Sequence, residues 1–119
     1  MQKVAGILLV LSVIACSEEV VERPAPANLI PEQNMIPLII DLQILESHYQ
    51  RTYSRPDVYK DALDSASQFI FQDHSVKRNQ FEASYDYYAA EPDHLFAIYE
   101  SALDTLNQRI SDRTQQIIE

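Results

Sequence analysis

Apolar side chains recur three and four positions apart along most of the chain after residue 30, which is the spacing of one face of an α-helix. Four such segments follow one another: within residues 31–51, at about 56–74, at about 78–90, and from 92 to about 116. No segment has the convincing alternation that a half-buried strand requires. The pattern therefore predicts an all-α domain over residues 31–119, a small bundle of about four helices.

Each segment has its own apolar stripe, and together the stripes are the expected core of the bundle. The first two stripes consist of Met35, Leu38, Ile39, Leu42, Leu45 and Tyr49, and of Tyr59, Ala62, Leu63, Ala66, Phe69 and Ile70. The last two consist of Phe81, Tyr85 and Tyr88, and of either Leu95 or Phe96 followed by Tyr99, Ala102, Leu103, Leu106 and Ile110.

Prolines mark the predicted helix starts. Pro56 and Pro92 suit a first turn, where the missing N–H costs nothing. The first helix has two possible starts because Pro37 lies inside its apolar pattern, where proline lacks a donor and clashes with the preceding turn. Either this helix begins at Pro31 and kinks at Pro37, or it begins near Asn34 with Pro37 in the first turn.

The N-terminus has the pattern of a removable targeting segment. A charged start at Lys3 precedes an apolar run over residues 4–15, which is too short to span a membrane. The segment ends in Val-Ile-Ala-Cys and resembles the bacterial lipobox, in which the cysteine is lipidated and becomes the first residue. The resemblance implies a signal peptide over residues 1–15 and a lipid anchor on Cys16. An ordinary secreted protein with a chance cysteine is the alternative.

Residues 16–30 are predicted to connect the lipidated cysteine to the domain as a flexible tether. Pro24 and Pro26 favour extended backbone there. Ser17 does not resemble the aspartate that retains lipoproteins in the inner membrane, so the outer membrane is favoured. The two acidic residues that follow Ser17 weakly resemble a surface-export signal. Both the periplasmic face and the cell surface remain open.

Charge and composition exclude several classes of function. The chain has 9 basic and 18 acidic side chains in 119 residues, and removal of residues 1–15 makes the balance −10. Nucleic-acid binding is therefore not expected, because it depends on neutralising phosphates. The only glycine, Gly6, lies in the signal segment. A mature chain without glycine has no Walker loop, dinucleotide fingerprint or nucleophile elbow.

Two segments of the domain carry a family resemblance. The first, residues 29–46, has an Ile-Pro entry and then a helix with Asp41-Leu42 and Glu46. The second has, in order, Phe81, Ser84, Tyr85, Tyr87-Tyr88, Pro92 and Ile98-Tyr99. Together these segments resemble the DUF4296 family of Bacteroidetes lipoproteins, whose function is unassigned.

The resemblance covers about ninety residues, which is essentially the whole domain. It implies a small helical domain, a lipid anchor and an envelope location, and it transfers no catalytic residue. Structural roles are implied for the motif residues Asp41, Phe81, Tyr85, Tyr88, Pro92 and Tyr99. Pro37 departs from the family's first motif.

The remaining chemistry-bearing residues do not form a catalytic or metal-binding motif. His48, His74 and His94 are far apart and make no metal-ligand spacing, so no metal or other cofactor is expected. Asp41 lies within an apolar helix, five residues before Glu46. The two are either a general acid and base or, as we expect, acids that fix helix packing. Arg78, Lys77 or a tyrosine is the expected partner of a buried Asp41.

Seven tyrosines are the most unusual feature of the composition. Most are expected to be core rings with hydroxyls near the surface, and Tyr87 is expected to point away from the face of Tyr85 and Tyr88. Tyr53, Arg55 and Tyr87 are the candidate partner-binding residues, because amphipathic rings suit interfaces. The sequence thus predicts a non-enzymatic, lipid-anchored interaction or accessory module with an envelope protein partner. The alternative is a lipoprotein that binds a small ligand or glycan through exposed tyrosines.

Overall fold

In a computed structural model of the chain, residues 23–119 are described, and they form four α-helices with no strand in that range. The helices are α1 (Glu32–Thr52), α2 (Pro56–Asp73), α3 (Arg78–Ala89) and α4 (Pro92–Ile118). The predicted all-α bundle is confirmed. The signal peptide, Cys16 and the first part of the tether lie outside the described residues.

The start of α1 is decided by the backbone of Pro31. Its carbonyl oxygen accepts hydrogen bonds from the amides of Asn34 at 2.8 Å and Met35 at 3.0 Å. Pro31 is therefore the N-cap, and Pro37 lies in the second turn of the helix. A start near Asn34 is wrong. Pro56 and Pro92 open α2 and α4 as predicted.

Helix α1 is the central element of the fold. It begins at the same end as α4, since His94 Nε2 lies 2.9 Å from Glu32 Oε2, and the two helices run in the same direction. Helix α2 returns antiparallel, with the Tyr59 ring 6.0 Å from that of Tyr49. Helix α3 packs on α4. The core joins all four helices and consists of Ile30, Met35, Leu38, Ile39, Phe71, Tyr88 and Ile98.

Two predicted stripes are wrong in part. In α2, Phe69 is 68% exposed, whereas Ser67 and Phe71 are buried. Ser67 can be buried because its hydroxyl donates a hydrogen bond to the carbonyl of Asp64 at 2.7 Å. An apolar pattern does not predict this contact. In α4, Ile98 is fully buried and Phe96 is 64% exposed. Both helices have two overlapping apolar faces, and packing against the neighbouring helices selects one of them.

The predicted tether ends earlier than residue 30, because its last residues are part of the domain. Three side chains one turn apart on α3, which we call the clasp (Gln80, Ser84 and Tyr88), hold this segment. Gln80 Nε2 donates to the carbonyl of Asn28 at 2.9 Å. Ser84 Oγ accepts from the Ile30 amide at 3.0 Å, and Tyr88 Oη donates to the Ile30 carbonyl at 2.7 Å. The side chain of Ile30 is buried in the core.

The end of α2 is a Schellman motif with serine where glycine is usual. Ser75 has φ = 56°, the left-handed region. The amide of Val76 donates to the carbonyl of Phe71 at 2.9 Å, and that of Ser75 to Gln72 at 3.0 Å. These are the two hydrogen bonds that define the motif. Val76 packs against the core that contains Phe71.

Ser75→Gly is expected to raise the free energy of unfolding by about 0.5–1 kcal/mol, because glycine adopts positive φ without a Cβ clash. Urea denaturation followed by circular dichroism measures the change. The matched control is Ser101→Gly, an exposed site within α4. There glycine is expected to cost about 0.5–1 kcal/mol. A loss of stability in both variants contradicts the conformational argument.

Candidate functional site

An apolar groove of about 520 Å³ runs between the parallel helices α1 and α4. Ile39 and Ile40 of α1 are nearly fully buried beneath it, as is Ala102 of α4. We call this the α1/α4 groove, and its lining residues are Ile39, Ile40, Gln43, Ile44, Ser47, His48, Arg51, Tyr99, Ala102, Leu103 and Leu106. Its volume lies within the range of about 300–1,000 Å³ that is usual for binding sites.

The rims of the groove present large apolar side chains to solvent. Ile44 on α1 is 52% exposed, and Leu103 on α4 is 59% exposed. Ile40 and Ile44 are one turn apart, and Ser47, His48 and Arg51 continue the same face. This face of α1 is not among the predicted stripes, although the spacing of Ile40 and Ile44 indicates it. It lies beside the core-facing stripe, and the two overlap at Ile39 and Ile40.

The charge of the groove differs from that of the chain. Its lining contains Arg51 and His48 but no aspartate or glutamate, in a protein with 18 acidic and 9 basic residues. Tyr99 lies in the lining, and its Oη is 3.3 Å from that of Tyr85. Burial, and then the hydrogen bond with Tyr85, raise the pKa of Tyr99 to about 12. The phenol is therefore neutral at physiological pH, and the groove is apolar with a cationic end.

Asp41 has a partner other than those expected. Its Oδ2 lies 2.7 Å from His74 Nε2, which ties the middle of α1 to the end of α2. The prediction that Asp41 pairs with Arg78, Lys77 or a tyrosine is therefore wrong. Glu46 accepts separately from Gln50 Nε2 at 3.1 Å. Asp41 thus has the geometry of an acid that fixes helix packing.

Arg78 instead fastens α3 to α2. Its guanidinium donates to the Asp64 carbonyl at 2.9 Å and to Ser67 Oγ at 2.6 Å, and it lies 3.1 Å from Asp64 Oδ1. The same group stacks over Phe71, 5.0 Å from the ring centroid. All of these contacts of the guanidinium are with other atoms of the domain. The smaller cavity beside it, of about 290 Å³, is therefore lined by groups that already hold the helices together.

The three histidines occupy separate places in the fold. His74 pairs with Asp41, and His94 pairs with Glu32 beside the ring of Tyr88, 5.0 Å away. His48 is exposed and lies against Tyr49. Within residues 23–119, no group of three or more histidine, cysteine, aspartate or glutamate side chains is arranged to hold a metal ion.

The candidate partner-binding residues do not form one surface. Tyr53 is 43% exposed and stacks on Tyr49, and the neighbouring Arg55 pairs with Asp57. Tyr87 is half-buried and packs against the core and the Tyr88 ring, although the apolar spacing predicts that it points away from the face of Tyr88. Tyr53 follows the end of α1, whereas Tyr87 lies beside Tyr88, which contacts the start of α1. Tyr53 and Tyr87 are therefore separated by the length of α1, about 30 Å.

The residues of the family motifs meet in the structure. Ile30 of the first motif is held by Ser84 and Tyr88 of the second. Phe81 lies between the rings of Phe71, at 5.4 Å, and Tyr85, at 5.9 Å. The motif residues therefore connect α3 to the segment before α1 and to Phe71 of α2.

Comparison with known proteins identifies a family. The family model described as "Domain of unknown function (DUF4296)" matches residues 26–112, and the chain belongs to this family. The match begins before Pro31, in agreement with the docked segment held by the clasp. No curated protein and no solved structure matches the chain. None of the helices in residues 23–119 has the length and apolarity needed to cross a bilayer.

Proposed function

We propose that this DUF4296 protein is a lipid-anchored component of the bacterial cell envelope whose helical domain is a non-catalytic interaction module. The anchor is on Cys16, and the outer membrane is the favoured location. The expected partner is a protein of the same envelope. The N-terminal pattern of Lys3, an apolar run and Ala15-Cys16 supports the anchor.

The observation that carries the interaction role is the α1/α4 groove, with Ile44 and Leu103 exposed at its rims. Long apolar grooves between helices accept an apolar helix face from a partner. The paired carboxylates and histidines, Asp41 with His74 and Glu32 with His94, join helices to one another. They are not among the residues that line the groove.

The anchor is tested by growing cells with an alkyne-labelled fatty acid. The wild-type chain is expected to incorporate the label and to fractionate with membranes, whereas Cys16→Ala loses the label completely. Ser17→Ala is the matched control and keeps it. The anchor proposal is wrong if the wild-type chain remains unlabelled, or if Cys16→Ala is labelled and cleaved like the wild type.

The interaction role is tested with a photo-crosslinking residue at position 103 of the full chain in its membrane. A discrete protein adduct is expected from this position. The same probe at Phe69, which is 68% exposed on α2, is the control and is expected to give no matching adduct. The absence of any protein adduct at position 103 contradicts an interaction role for the groove.

A second candidate function is the binding of a small ligand or glycan by tyrosines. The rings of Tyr49, Tyr53 and Tyr59 cluster at the corner between α1 and α2, with centroids 5.9–6.2 Å apart. Aromatic faces suit stacking on apolar faces of ligands. A saccharide or small molecule that stays with the purified protein, and is lost in Tyr53→Ala, favours this function over the protein partner.

A further inference from the structure

One face of α4 carries an exposed apolar residue every seven positions. We call this the α4 stripe, and it consists of Phe96, Leu103, Ile110 and Ile117. Their exposed fractions are 64%, 59%, 57% and 79%. A seven-residue repeat drifts by only about 20° per heptad around an α-helix, so these side chains lie along one line. This is the spacing with which helices pair side by side.

The α4 stripe adjoins the α1/α4 groove. Leu103 belongs to both, and over residues 96–110 Tyr99 and Leu106 occupy the intervening positions, with the spacing of three and four residues found in a coiled-coil seam. Ile40 and Ile44 form the opposite wall on α1. A helix laid on this surface therefore contacts a ridge on each side. α1 and α4 begin together, and α4 is the longer, with 27 residues against 21.

The charges beside the α4 stripe are divided between the two halves of the helix. The N-terminal half carries Asp93, Glu100 and Asp104, whereas the C-terminal half carries Arg109 and Arg113. The acidic residue of that second half, Asp112, is nine positions from Leu103 and so lies on the opposite side of the helix. Arg51 of α1 adds a positive charge to the groove lining, and α1 ends there at Thr52.

This division of charge is self-complementary only in one orientation. A second α4 laid antiparallel brings its acidic N-terminal half against the end that carries Arg51, Arg109 and Arg113. The antiparallel arrangement also aligns the two helix dipoles in opposite directions, which is favourable. A parallel second copy places acidic half against acidic half and basic half against basic half, which is repulsive.

We propose that the α4 stripe and the α1/α4 groove form the contact between two copies of this chain, docked with their α4 helices antiparallel. In this register Phe96 meets the partner's Ile117, and Leu103 meets the partner's Ile110. The arrangement has a two-fold axis near Leu106, so the same patch is buried on both copies and the assembly closes as a dimer. The inference rests on the proposed interaction role and names a second copy as the partner.

The test uses cysteine cross-linking of the full chain in its membrane. Two differently tagged copies are co-expressed, one carrying Phe96→Cys and the other Ile117→Cys, and they are treated with a mild thiol oxidant. A mixed disulfide between the two tags is expected. Each variant expressed alone is expected to give no more product than the parent chain, whose only cysteine is Cys16. In the antiparallel register, two copies of position 96 lie about 30 Å apart, which is too far for a disulfide.

A matched pair of substitutions tests the surface itself. Leu103→Asp in both copies is expected to lower the yield of mixed disulfide at least tenfold, because it buries a carboxylate at the seam. Phe69→Asp changes an apolar residue of similar exposure on α2 and is expected to leave the yield unchanged. An equal loss in both variants, or no loss in Leu103→Asp, overturns the assignment of the contact to this face.

Other occupants of the groove are separate outcomes. Self-disulfides from Phe96→Cys alone indicate a parallel pair and overturn the proposed register. A photo-adduct at position 103 with a protein of different sequence, without any adduct to a second copy, overturns self-association but leaves the interaction role standing. A wild-type chain that takes up no fatty-acid label overturns the anchor and leaves self-association intact, so the two proposals fail independently.

Discussion

Tyr88→Ala is expected to lower the free energy of unfolding by about 3–5 kcal/mol, the range for large aromatic truncations in a core. Only 4% of the residue is exposed, and it packs in the core cluster with Ile30 and Ile98. Its ring lies edge-on to His94, 5.0 Å away. Removal of the ring leaves a cavity between the end of α3, the start of α4 and the docked segment. Urea denaturation measures the loss.

Tyr88→Phe separates the hydrogen bond from the ring. The Tyr88 hydroxyl donates to the carbonyl of Ile30 at 2.7 Å in a buried position. Its loss leaves that carbonyl without this donor, and we expect a cost of about 1–3 kcal/mol. Tyr53→Phe, at a ring that is 43% exposed, is the control and is expected to cost less than about 0.5 kcal/mol. Faster proteolysis near residue 30 in Tyr88→Phe distinguishes release of the clasp from general destabilisation.

The same residue predicts a dependence on alkaline pH. Burial, and to a lesser extent the charge of Glu32 and the neighbouring Tyr87, raise the pKa of Tyr88 above its ordinary value of 10.0. The unfolded chain therefore loses this proton first. Stability is fully present below about pH 10 and falls as pH rises toward the folded-state pKa. Tyr88→Phe is expected to reduce this fall, and an unchanged pH profile contradicts the assignment.

Ile98→Ala is expected to lower the free energy of unfolding by about 2–5 kcal/mol, because the side chain is completely buried between helices. Phe96→Ala, two residues earlier on the same helix, removes a larger side chain that is 64% exposed. Its expected effect is within about 0.5 kcal/mol of the wild type. Urea denaturation at concentrations low enough to keep the chain monomeric measures both, so that the proposed dimer contact does not contribute.

The order of these two effects tests the tertiary structure directly. The apolar spacing of α4 allows Phe96 as a core residue and omits Ile98 from the predicted stripe. The structure reverses that order, since Ile98 is fully buried in the core and Phe96 belongs to the α4 stripe. A larger loss in Phe96→Ala than in Ile98→Ala contradicts an orientation of α4 in which Ile98 is buried and Phe96 is exposed.

Local interactions explain why the sequence predicts much of the fold correctly. Helix type follows from a spacing of three and four, and the starts of α2 and α4 follow from Pro56 and Pro92, because both are properties of neighbouring residues. The helix predicted at about 78–90 is confirmed as α3 for the same reason. The packing of Phe81, Tyr85 and Tyr88 against the core also agrees with their shared face.

The errors concern residues whose environment is made by a different helix. His74 pairs with Asp41 because α2 returns along α1, and the distance of 33 residues between them gives no local pattern. Ser67 is buried because Arg78 reaches it from α3. Tyr87 is half-buried because the end of α3 packs against the core. In each case a contact with a residue distant in the sequence determines the pairing or burial, and the type and local spacing of the residue do not predict it.

The sequence by itself determined the helical class, the approximate bounds of the four helices and membership of a family, because periodicity, prolines and short motifs are local. Only the tertiary structure decided which face of each helix is buried. It also decided that Asn28 and Ile30 belong to the domain, and that a groove opens between α1 and α4. A helix with two overlapping apolar faces can bury either face. The neighbouring helices determine which face is buried when they pack against it.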